Sequence, residues 1–72
     1  MLMDNITSNL RTVRTEKKIS QKELSAKTGI SVRCIKYYEA LTRLPSLINA
    51  YRLSETLDTP ITELFPYNDE TA

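Results

Sequence analysis

The 72-residue chain has no histidine, one cysteine, one glycine and three prolines. Without histidine or a second thiol there is no ligand set for zinc, and Cys34 has no partner for an internal disulfide, so neither staple is expected. The lack of histidine, of a glycine-rich phosphate loop and of paired carboxylates on one face leaves no constellation for catalysis. An enzyme is therefore not expected, and no cofactor, metal or small-molecule ligand is implied. There is no signal-like apolar start and no long uncharged apolar run, which argues against secretion and membrane insertion and for a cytosolic chain. Glycine and proline are few, and the runs between them lack period-2 alternation, so strands are not expected. What remains is a single all-α domain. Chains this short bury only about 60% of their unfolded surface, so a partner subunit would help stability.

The formal net charge is only +1, yet it is unevenly placed. Residues 1–45 carry nine basic residues (Arg11, Arg14, Lys17, Lys18, Lys22, Lys27, Arg33, Lys36, Arg43) against four acidic ones (Asp4, Glu16, Glu23, Glu39). Residues 46–72 reverse this, with Arg52 against Glu55, Asp58, Glu63, Asp69 and Glu70. A basic front and an acidic back suit a molecule with one face on phosphate and the other turned away.

Caps and periodicity divide the chain into five helices. Ile6, Leu10, Val13, Arg14 and Lys17 share a face of a first helix from about Asp4 to Lys18, with Arg11, Thr15 and Lys18 outside. Ser20-Gln21-Lys22-Glu23 is a capping box, in which hydroxyl and carboxylate each satisfy a free amide of a second helix running to Thr28. Gly29 stops that helix, because it enters the left-handed conformation without steric cost. Ser31 caps a third helix, Val32 to Ala40, so helices two and three flank a tight Gly29-Ile30-Ser31 turn. Pro45 and Ser46 open a fourth, Leu47 to Leu57, with Leu47, Tyr51, Ser54 and Leu57 along one side and Ile48 and Leu53 widening it. Thr59-Pro60 reads as a cap and first helical residue of a short fifth helix that turns Ile61, Leu64 and Phe65 inward. Pro66 ends it. Residues 1–66 form the expected domain and residues 67–72 a short, loose acidic tail.

With Ile35 set inward in the third helix, Tyr38 and Glu39 fall beside it, while Arg33, Lys36, Tyr37 and Ala40 point the opposite way. That outer face is cationic and aromatic. The major groove of DNA admits one α-helix, and an arginine there can donate bidentately to guanine O6 and N7. Cys34 lies at the border of the two faces and reads as a half-buried filler, since nothing identifiable activates its thiol.

Leu10-x-x-Val13-Arg14, Ile19 through Ser25, Thr28 through Ser31, Ile35, Tyr38-Glu39, Pro45, Leu57-Asp58 and Glu63-Leu64-Phe65 occur in order and without a gap. Together they resemble the Cro and lambda-repressor (Xre-like) helix-turn-helix family over residues 6–65. The resemblance implies a compact five-helix lambda-repressor-like domain and a sequence-specific transcriptional regulator, repressor-like, of bacterial or phage origin. Val32, Arg33 and Tyr37 match its base-reading positions, with Val32 suited to a thymine methyl and Arg33 to guanine. Gln21 matches a phosphate contact at a helix N-terminus, where free amides and the dipole favour an anion. Ser31 and Lys36 are neighbours placed for phosphate or base contacts, and Arg43 matches a loop that meets the sugar-phosphate backbone. Arg14 and Glu39 match a buried structural salt bridge. The pattern departs at Leu41, where many relatives carry glycine: either the third helix runs longer, or Leu41 accepts strain on the order of 1 kcal/mol.

Residues 28–39 also look like the start of a MerR-type module, but the patterned helix before Ser20 and the helical sequence after Ser46 favour the Xre-like fold. A protein-binding helix-turn-helix, such as an antitoxin or accessory factor, is the alternative from another class. For DNA binding, one short reading helix covers too few base pairs. A weak homodimer through the acidic C-terminal half, on an inverted-repeat operator in the cytoplasm or nucleoid, is therefore expected. Its contact is expected at the start of the fourth helix and at the fifth helix with Phe65 and Tyr67.

Overall fold

The computed structural model describes residues 5–68, and among these residues it is all-helical. Its elements are α1 (Leu10–Glu16), α2 (Gln21–Thr28), α3 (Val32–Ala40), α4 (Leu47–Leu57) and α5 (Ile61–Leu64). None of these helices is long and apolar enough to cross a membrane. Leu10, Leu24, Ile30, Ile35, Tyr38, Leu53, Leu57 and Leu64 form the core, to which every helix contributes.

The α2 start carries the full capping box: Glu23 N donates to Ser20 Oγ at 3.0 Å and Ser20 N to Glu23 Oε1 at 3.2 Å. Ser31 caps α3 by accepting from Cys34 N, and Ser46 caps α4 by accepting from Asn49 N. Thr28 bridges the intervening turn, donating to the Leu24 carbonyl and accepting from Ile30 N. Ile30 is buried beneath the turn, which ties α3 to α2.

Two boundaries and one helix face differ from the sequence reading. First, α1 begins at Leu10 rather than near Asp4, whose own position lies outside the described residues. Asn5, Ile6, Thr7, Ser8 and Asn9 are poor helix formers, through β-branching or through side chains that compete for backbone bonds. They lie instead along the C-terminal segment. Thr7 N donates to Pro66 O, Asn9 N to Leu64 O and Asn68 N to Asn5 O, while Ile6 and Tyr67 form an isolated antiparallel bridge. Tyr67 and Asn68 are thus tied down rather than loose; the rest of the expected tail, residues 69–72, lies outside the described residues.

Second, Thr59 does not cap α5. Its hydroxyl donates to the Leu57 carbonyl and its amide to Ser54 O, so it closes α4 instead, and Pro60 takes the position before the helix. Third, α4 is rotated from its expected face. Ala50, Leu53 and Leu57 are inward, while Leu47, Ile48 and Tyr51 are 71%, 61% and 54% exposed. Leu53 and Leu57 belong to both stripes, so periodicity alone left the rotation undetermined.

At Leu41 the third helix does not run on. Leu41 takes φ 60°, and its amide and that of Thr42 close the last turn on Tyr38 O and Tyr37 O. Lys18 and Asp58 end α1 and α4 in the same left-handed way.

Candidate nucleic-acid interface

Capped α2, the fixed turn and capped α3 present the outer face of α3 as a rigid unit. Arg33, Lys36 and Ala40 are exposed on it, as is Ser31 at its cap, and Val32 is half-buried at its first turn. Tyr37 is also half-buried and packs against the core. Arg43, in the loop after α3, is exposed and places its guanidinium carbon 4.9 Å from the Tyr37 ring centroid.

Behind this face, Arg14 of α1 donates through Nε to Glu39 Oε2 at 2.6 Å and through Nη2 to Oε1 at 3.4 Å. Its remaining nitrogen, Nη1, donates to the Ile19 carbonyl at 2.9 Å. The two side chains are only 10% and 7% exposed. Gln21 joins them, its Nε2 donating to Glu39 Oε1 at 3.0 Å. A primary amide has two N–H groups, and this bond uses one of them.

These residues line an open cleft of about 450 Å³ bounded by Arg11, Arg14, Gln21, Lys36, Glu39 and Ala40. Because Glu39 is matched by Arg14, the exposed Arg11 and Lys36 leave the cleft positive. The structure therefore groups Gln21 and Lys36 with the Arg14–Glu39 pair, groups Tyr37 with Arg43, and sets Val32, Arg33 and Ser31 at the opposite end of α3. Arg11 escaped the sequence reading as a site residue. Its signal was its place one helical turn before Arg14 on a basic α1. The Gln21–Glu39 bond was invisible to helical wheels, since it joins two helices. Among the described residues, no cluster of His, Cys, Asp or Glu is placed to hold a metal ion.

A family model described as helix-turn-helix matches residues 10–64, from the first residue of α1 to the last of α5. The chain is also 33% identical over 66 residues to the uncharacterized HTH-type transcriptional regulator y4dJ of Sinorhizobium fredii, covering 92% of this chain and 86% of that protein. With its capped α2–turn–α3 unit and cationic outer face, the chain belongs to the Cro/C1-type, Xre-like helix-turn-helix family of DNA-binding transcription regulators.

Proposed function

We propose that this chain is a repressor-like regulator that lays α3 in the major groove and binds an inverted-repeat operator as a homodimer. The observation that carries this reading is the outer face of α3, where Arg33 and Lys36 stand exposed on a helix whose inner face is anchored by Ile35, Tyr38 and Glu39. A rigid cationic helix loses little freedom on docking, and its arginine can form the paired donation that selects guanine. Val32, Arg33 and Tyr37 read bases; Gln21, Ser31 and Lys36 hold phosphate and neighbouring groups, which set register without specifying sequence, while Arg43 meets the backbone from the loop after α3. Arg11 joins them across the positive cleft. The site of action is the bacterial or phage-infected cytoplasm.

The occupant we assign to the exposed apolar surface at the start of α4 (Leu44, Leu47, Ile48, Tyr51) is a second copy of the chain. A symmetric dimer places two readers about one helical turn, 34 to 36 Å, apart, and gives the interface area that one small module lacks. The same apolar surface also favours a protein-binding accessory role as the second reading.

Selection of bound sequences from a random DNA pool, followed by titration at several salt concentrations, separates the two. The DNA reading expects enrichment of an inverted repeat and a steep loss of affinity with salt as counterions are released. Absence of any enriched sequence would overturn it in favour of the protein-binding role.

A further inference from the structure

We propose that Arg43 is a positioning residue for Tyr37, setting base preference through that ring without itself touching a base. The inference rests on the DNA-reading role of α3.

The loop geometry makes the contact a built one. Leu41 at φ 60° reverses the chain at the end of α3. Thr42 then donates to the Tyr37 carbonyl twice, from its amide at 3.0 Å and from its hydroxyl at 3.3 Å. The next residue is Arg43, and its guanidinium lies 4.9 Å from the Tyr37 ring centroid, within the range of a cation–π contact. Tyr37 is thereby held at two places, against the core and under the cation. An exposed arginine otherwise samples many rotamers, and its flat guanidinium is the cationic group best matched to a flat ring. The aromatic side chain reaches the groove in a preset orientation, so little rotamer freedom remains to be lost on binding. An arginine working only on phosphate would instead affect every sequence alike.

The test compares the full chain with Arg43→Lys, Arg43→Ala, Tyr37→Leu and the Tyr37→Leu/Arg43→Lys double variant, by pool selection and competition titration. Lysine keeps a charge for phosphate but replaces the flat guanidinium over the ring by a compact ammonium, and Arg43 is exposed, so folding is not at stake. Arg43→Lys is expected to keep the salt dependence yet reduce discrimination, by about two- to fivefold, at the base position that Tyr37→Leu also alters. The double variant should then match Tyr37→Leu alone. The proposal is overturned if Arg43→Lys retains full selectivity while Arg43→Ala weakens all sequences equally, or if the two residues affect different base positions. A DNA-free measurement stands beside it: the NMR resonances of the Tyr37 ring protons should move in Arg43→Lys, and unmoved resonances would also overturn it. Failure of the DNA reading itself is distinct, because the unsubstituted chain would then enrich no sequence.

Discussion

The Arg14 guanidinium is held at all three nitrogens, two on Glu39 and one on the Ile19 carbonyl, and Gln21 adds a further donor to the same carboxylate. Removing one charge would strand the other in a nearly water-free position. Arg14→Met, or Glu39→Gln, is therefore expected to cost roughly 3 to 5 kcal/mol, measured by urea denaturation. The double variant should recover part of that loss, whereas simple additivity would show that the pair is not coupled. Arg33 stands at the other extreme, exposed and without structural duty. Arg33→Ala should leave the melting temperature unchanged, lower affinity for the preferred operator by about 1 to 3 kcal/mol and relax one base position. Gln21→Ala should weaken all operators similarly, and a change of base preference in its selected sequences would assign it to reading instead. Because Gln21 also bonds Glu39, a modest drop in stability should accompany that loss.

At the scale of the helix, the ends carry most of what is particular to this chain. Four helices finish on a left-handed residue, but only one of those residues is glycine; the others are Lys18, Leu41 and Asp58. Lys18 is exposed, so Lys18→Gly relieves backbone strain at no loss of packing and should stabilise the domain by up to about 1 kcal/mol. Gly29→Ala is the converse. Space is open around a methyl group there, so its expected cost of about 1 kcal/mol comes from the backbone alone, at φ 77°. Thermal melts of both variants check the pair, and opposite signs are required. These ends also mark how far the fold was legible in the sequence. Where a side chain declares the boundary locally, as Ser20 with Glu23, Ser31 and Ser46 do, helix starts were readable to the residue. The start of α1 was not, because Thr7 and Asn9 are satisfied by carbonyls more than fifty positions away. The rotation of α4 was likewise hidden, since its apolar residues surround more than half the helix and only the neighbours in space choose among them. For the site, inward Arg14 and Glu39 and outward Arg33 and Lys36 follow from periodicity, while the Tyr37–Arg43 stack depends on a loop turned by a leucine with positive φ.

Over the whole molecule, the basic first 45 residues and the acidic remainder coexist with an apolar surface at the start of α4. Ile48→Asp is expected to leave the fold intact, since that side chain is largely exposed, but to abolish cooperative filling of the two half-sites. Gel-shift titrations on a whole and a halved operator check this; retained cooperativity would move the dimer contact elsewhere. The strand-like seam between residues 5–9 and 64–68 joins the two ends of the described residues, and closing it makes the domain a ring. Closing so long a loop carries a large entropic cost and the contact lies near the chain ends, so the seam is the natural place for reversible local opening. Amide hydrogens of Thr7, Asn9 and Asn68 should accordingly exchange with solvent faster than those of α2 and α3. Asn9 immediately precedes α1, so each opening is expected to loosen that helix, whose Arg14 grips Glu39 on α3.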